Sequence, residues 1–158
     1  MSNSPAPIRG LRRTLGLVAS AAIALSSALQ PAFAAGDAVT MYKDPNCGCC
    51  SKWAEHMRAS GFSVKEVPTP QMAAVKGSAG VPQALGSCHT ARVGGYVVEG
   101  HVPAADVKRL LAERPAVVGI AAPGMPQGSP GMEGPFPPDR YDVVSFDRDG
   151  RTEVFARH

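Results

Sequence analysis

Apolar and polar positions alternate along this chain in short, well-punctuated elements. Ala38 to Lys43 is an apolar run closed by Asp44-Pro45, and it predicts a first strand. Ser51 to Ser60 follows helical spacing, with Trp53 and Met57 inward and Cys50 and Ala54 beside them, and Gly61 is a suitable stop. Phe62 to Val67 alternates as a half-buried strand closed by Pro68. Thr69-Pro70 predicts a helix start, with Thr69 as N-cap, running to about Lys76 before a loop from Gly77 to Pro82. Thr90 to Val93 and Tyr96 to Glu99 flank Gly94-Gly95 as a hairpin. A further helix is expected over Ala104–Arg114, where Val107, Leu110 and Leu111 share a face.

Past Pro115 the texture changes. Residues 119–138 are too rich in Gly and Pro for regular structure, yet they keep apolar residues and carry a single charge, Glu133. A disordered linker would be more polar, so an ordered, packed loop is expected. Tyr141 to Phe146 and Thr152 to Ala156 alternate around Asp147-Arg148-Asp149-Gly150 and predict a terminal hairpin. The order β-α-β-α-β-β-α describes an α/β fold with a thioredoxin-like core, to which the Gly/Pro/Met-rich loop and the C-terminal β-hairpin are additions.

Ahead of these elements lies a different kind of segment. Arg9, Arg12 and Arg13 form a basic region, Leu15 to Leu29 is apolar, and Ala32 and Ala34 take the small-residue positions of a cleavage site. Residues 1–34 are therefore expected to be a cleaved signal peptide, and 35–158 a single exported, periplasmic domain. The leader also holds the charge excess. The chain has 16 Lys+Arg against 13 Asp+Glu, and the three leader arginines account for the difference. A neutral mature domain gives no reason to expect nucleic acid as a partner, or stable membrane association after cleavage.

Candidate chemistry concentrates at the first strand-to-helix junction. Three of the four cysteines, Cys47, Cys49 and Cys50, fall within four positions there. Free N–H groups and the helix dipole at such a junction favour thiolates. Crowded thiols cannot brace distant parts of a fold, so they read as a site. Cys47 and Cys50 have the C-x-x-C redox spacing. Cys88, followed by His89, precedes the strand that a thioredoxin-like fold would lay beside the cysteine helix.

Up to four sulfurs and an imidazole would suit Cu(I), zinc or an iron–sulfur cluster. An exported location disfavours the last and makes copper the natural thiophilic guest, and bridging thiolates would allow several ions. His101 reads either as a ligand or as a surface or capping histidine. Met125 and Met132, in matching Pro-Gly-Met settings, read either as soft donors or as packing residues. His56, two turns beyond Cys49, is expected to be structural or exposed, and Trp53 to pack the helix or shield the sulfurs.

Four blocks then match a known pattern in order. They are Tyr42-Lys43-x-Pro45-x-Cys47-Gly48-Cys49-Cys50, Ser87-Cys88-His89-Thr90, Val93 through Pro103, and Pro123-Gly124-Met125-Pro126-x-Gly128-Ser129-Pro130-Gly131-Met132-Glu133. Over about residues 38–157 the chain closely resembles the CopG-like family of small exported bacterial proteins, long described as a domain of unknown function. The resemblance implies a thioredoxin-like fold, copper handling alongside other periplasmic copper-resistance proteins, and a cysteine-bound, multinuclear copper site with copper redox activity. It places the cluster at Cys47, Cys49, Cys50 and Cys88, with His89 and His101 at motif positions. The candidate metal ligands are thus Cys47, Cys49, Cys50, Cys88, His89, His101, Met125 and Met132, and the expected function is binding of Cu(I) for copper resistance or homeostasis. The alternative is a thiol–disulfide oxidoreductase using Cys47 and Cys50.

Overall fold

The computed structural model describes Met1 and residues 37–158, so the expected leader lies outside the described residues. Seven strands form one sheet: β1 (Ala38–Lys43), β2 (Ser63–Pro68), β3 (His89–Val93), β4 (Tyr96–Glu99), β5 (Gly119–Ala121), β6 (Asp142–Phe146) and β7 (Thr152–Arg157), in the spatial order β2-β1-β3-β4-β5-β6-β7. Three helices accompany it: α1 (Gly48–Ala59), α2 (Met72–Ala79) and α3 (Ala104–Glu113). The expected β-α-β-α-β-β-α succession is present. β1 and β2 are parallel, as the crossover through α1 requires, and β3 runs antiparallel to both β1 and β4. Among the described residues no helix is long and apolar enough to cross a membrane.

Core residues divide between the two faces of the sheet. Trp53, Ala54 and Met57 of α1 and Val107 and Leu110 of α3 pack with Val39, Met41, Val98 and Ile120 on one face. Ala79 of α2 packs with Leu85, Val97, Ala121 and Phe146 on the other. β4 is buried along its whole length, which explains its nearly continuous apolar run, Tyr96-Val97-Val98.

Four differences from the sequence reading go beyond a shift of one residue at an element's end. α1 begins at Gly48 rather than Ser51, with Cys47 as N-cap, because the chain turns earlier. The Asp44 side chain accepts the Asn46 N–H at 2.8 Å and its carbonyl accepts the Cys47 N–H at 3.1 Å, so the helix starts within the cysteine run. α2 starts at Met72, beyond Thr69-Pro70. The Thr69 N–H continues the ladder to the Lys43 carbonyl at 2.8 Å, and its hydroxyl accepts the Gln71 N–H ahead of the helix instead of capping it. The helix then runs through Gly77 to Ala79 and stops where Gly80 adopts φ 72°.

The fourth difference is β5. The stretch expected to lack regular structure opens with a three-residue strand parallel to β4. Its pairing turns the C-terminal hairpin from an appendage into a continuation of the sheet, since β5 also pairs with β6. So short a segment carries no periodicity. Its mark is Gly119, where an added Cβ would lie 2.0 Å from the Val97 carbonyl oxygen.

Gly119→Ala is therefore expected to separate β5 from β4, at a cost of about 2–3 kcal/mol typical of overpacking in a core. Chemical denaturation of the variant against the parent chain measures it.

Candidate metal centre

The candidate centre is assembled from three places in the sequence, two of which supply its sulfurs. The first turn of α1 supplies Cys47, Cys49 and Cys50. Cys47 and Cys50, 5.5 Å apart at Cα, are joined in a disulfide across that turn, and Cys50 lies on the buried side of the helix. Cys49 turns outward, with its sulfur 3.4 Å from that of Cys47 and 3.8 Å from that of Cys88 on the segment leading into β3. All four sulfurs lie within 4.8 Å of one another. Cys49 and Cys88 are free thiols.

His101, just past β4, completes the third side. Its Nε2 lies 2.9 Å from Cys88 Sγ, and its Nδ1 lies 2.8 Å from the Pro130 carbonyl oxygen. A carbonyl can only accept, so Nδ1 carries the proton and the Nε2 lone pair faces the sulfur. Metal-binding imidazoles are commonly held in this way by a hydrogen bond on the opposite nitrogen. Burial holds His101 below its usual pKa, against opposing effects of the Pro130 carbonyl and Glu133. The ring is fully buried, so the alternative of a surface histidine does not hold.

His89 is also buried, between the rings of Trp53 at 4.5 Å and His101 at 4.9 Å. Its Nδ1 lies 3.9 Å from Cys88 Sγ, and Nε2 has no hydrogen-bond partner among the described residues. Burial, followed by the neighbouring His101 and Lys76, drives its pKa well below the ordinary histidine value. Burial and the adjacent Cys49 push the Cys88 thiol up to about 11. Without a metal this corner thus combines a protonated Cys88 with neutral imidazoles. A soft cation would favour the thiolate form of Cys88 by its positive charge, and the donor set of sulfur with imidazole suits one.

The Gly/Pro-rich loop packs against the cluster, as its apolar composition suggested. An added Cβ on Gly131 would lie 2.7 Å from the Cys49 carbonyl oxygen and 2.8 Å from the Trp53 nitrogen, so only a glycine, here at φ 85°, allows this approach to α1. The loop's own hydrogen bonds include Ser129 Oγ to the Pro126 carbonyl at 2.6 Å and the Gly128 N–H to the Met132 carbonyl at 3.0 Å. Met132 is half-buried within this structure. Met125 is exposed and lines a cavity of about 300 Å³ with Gly86, Ser87, Cys88 and Gly124.

Trp53 is wholly buried and donates from Nε1 to the Val102 carbonyl at 2.8 Å. His56 is structural, since its Nε2 accepts the Ala104 N–H at 3.0 Å at the start of α3.

Two supporting networks escaped the sequence reading. Lys43 donates to Ser51 at 3.0 Å and Ser51 to Glu66 at 2.8 Å, which ties the start of α1 to β1 and β2. Glu99, fully buried, accepts the Ser87 N–H at 2.7 Å, the Thr90 hydroxyl at 2.6 Å and the Lys76 ammonium. This carboxylate anchors the residue immediately before Cys88. Its only signal in the sequence is an acidic residue ending an otherwise apolar strand.

Residues 85–132, which span Cys88, His101 and the loop, match the family described as "Protein of unknown function, DUF411". Two solved structures share the fold. One, described as "Copper resistance protein copG- Form 1", is 49% identical, with a TM-score of 0.73 over 77% of this chain and 96% of that one. The other, "Copper resistance protein copG- Form 2", is 48% identical, with a TM-score of 0.74 over 78% and 98%. This chain belongs to the CopG family of copper resistance proteins. No curated protein matches it. The family model covers the Cys88 segment, while the α1 turn lies before its matched residues.

Because the fully buried Glu99 carboxylate accepts from the half-buried Lys76, from Ser87 and from Thr90, Glu99→Ala is expected to destabilise the fold by about 3 kcal/mol or more, through the loss of several hydrogen bonds to one charged group. Urea denaturation measures the loss, and Arg157→Ala, which removes an exposed pair with Asp142, is the comparison expected to change stability by about 1 kcal/mol or less.

Proposed function

We propose that the reduced chain binds copper as Cu(I), in a cluster bridged by Cys47, Cys49, Cys50 and Cys88 with His101 as the nitrogen donor, as part of periplasmic copper resistance. The observation that carries this reading is the convergence of four sulfurs within 4.8 Å, with the His101 lone pair facing Cys88 at 2.9 Å. Thiolate and imidazole are soft and borderline donors suited to Cu(I). A thiolate has lone pairs enough to bridge two ions, so the set accommodates more than one copper. Similarity to proteins described as copper resistance proteins supports the choice of metal.

The Cys47–Cys50 disulfide adds a redox element. While it is closed, only Cys49 and Cys88 remain as thiol donors. Its reduction supplies the other two. In the opposite direction, the paired thiolates can deliver one electron to each of two Cu(II) ions, giving two Cu(I) and the disulfide. Oxidation state at this turn thereby couples copper capacity to copper redox conversion. The periplasmic part of this reading rests on the leader expected over residues 1–34.

The same disulfide favours a second reading, thiol–disulfide exchange with protein substrates through Cys47 and Cys50. Anaerobic titration of the reduced chain with Cu(I) against a competing chelator separates the two. Tight uptake of more than one copper per chain is expected. Cys88→Ser should lower that number while leaving the circular dichroism spectrum unchanged. Weak binding together with rapid exchange with a dithiol would overturn the copper reading in favour of the oxidoreductase.

A further inference from the structure

The two Pro-Gly-Met segments occupy different settings in the fold. Met132 is half-buried, and its backbone closes a turn by accepting from Gly128 and donating to Ser129. Met125 leaves 56% of its surface to solvent, a large exposure for an apolar side chain in an otherwise stitched loop. Hydrogen bonds hold its neighbour in place: the Gly124 N–H donates to the Gly86 carbonyl at 3.3 Å, and the Ser87 hydroxyl donates to the Gly124 carbonyl. Gly124 turns the chain at φ 70°. Two anchored loops thus meet at the rim of a cavity lined by both Met125 and Cys88.

Cys88 is the residue of the cluster that lines this cavity. His101, 2.9 Å from Cys88, and Cys50 are fully buried behind it, while the half-buried Cys49 lies beside it at 3.8 Å. The arrangement gives an order of donors from solvent inward, beginning with a neutral thioether and continuing to sulfurs that bind more strongly as thiolates.

We propose that Met125 is the transfer ligand through which Cu(I) reaches and leaves the cluster, and that its thioether selects the monovalent ion at the rim. The proposal rests on the reading that the chain binds Cu(I). A thioether is a soft donor that needs no deprotonation, so it can capture Cu(I) from a carrier while discriminating against harder ions. In the transfer step a bond forms between copper and the Met125 sulfur as a carrier donor leaves. Cys88 Sγ then forms its own bond to copper as the remaining carrier bond breaks. No electron changes hands, and Cys88 releases its proton to solvent at the cavity as its bond to copper forms. Met132, in the same sequence setting but held inside the loop, has no part in this path.

Stopped-flow transfer of Cu(I) between the reduced chain and bicinchoninate, followed by the colour of the chelator complex, tests this. Met125→Leu, which conserves volume, is expected to slow transfer in both directions by about tenfold, equivalent to about 1.4 kcal/mol in barrier height. Copper stoichiometry should be unchanged. Met125→His, which restores a copper donor, should recover the rate, and Met132→Leu should behave as the parent chain. A parent chain that loads Cu(I) while Met125→Leu transfers it equally fast would overturn the role of Met125 alone. Equal slowing by the Leu and His variants would overturn it too, since shape and not donation would then control the rate. A parent chain that takes up no Cu(I) would contradict the underlying copper reading as well.

Discussion

The buried carboxylate of Glu99 receives the backbone of Ser87, the hydroxyl of Thr90 and the ammonium of Lys76, and the position of Cys88 depends on that convergence. A charge sealed in the interior is tolerated only when its hydrogen bonds are nearly complete. Satisfying Glu99 therefore holds α2, the approach to β3 and the end of β4 to one geometry. The sulfur cluster inherits this order: Cys88 follows Ser87 directly, and His101 follows the end of β4 by two residues. The metal-binding corner is a consequence of a polar network on the sheet.

The second constraint is close approach. Gly131 touches the backbone of α1 where a side chain could not, and this contact brings the Pro130 carbonyl to His101 Nδ1. The loop thereby sets the tautomer that turns the other nitrogen toward Cys88. Packing, tautomer and ligand orientation form one causal series, beginning with a glycine and ending with a lone pair. Burial acts in the same direction by keeping both imidazoles neutral.

Much of the fold was legible because its signals were local. Alternation marked β1 to β4 and the terminal hairpin, Gly94-Gly95 marked a turn, and helical spacing marked α3. The cysteine spacing located the reactive corner, and resemblance in four blocks brought Cys88 and His101 to it before any geometry was known. What escaped depends on contacts between distant segments. β5 is too short for a period and is defined by the pressure of Gly119 on Val97. The N-cap expected at Thr69 failed because its hydroxyl accepts the Gln71 N–H ahead of the helix, which starts only at Met72. Glu99 looked like an ordinary polar end of a hairpin strand, since its partners lie on other segments. Met125 and Met132 have equivalent sequence settings, and only the fold exposes one and encloses the other. The leader at 1–34 and the export it implies lie outside the described residues, so they stand on sequence alone.

The central claim is that copper is held by sulfur from both the α1 turn and the Cys88 segment. Copper K-edge X-ray absorption of the reduced, Cu(I)-loaded chain measures this most directly. The account calls for a sulfur-dominated first shell with copper–copper scattering beyond it, and for loss of sulfur from that shell in Cys88→Ser. A first shell of nitrogen and oxygen alone, unaltered in the variant, would contradict it.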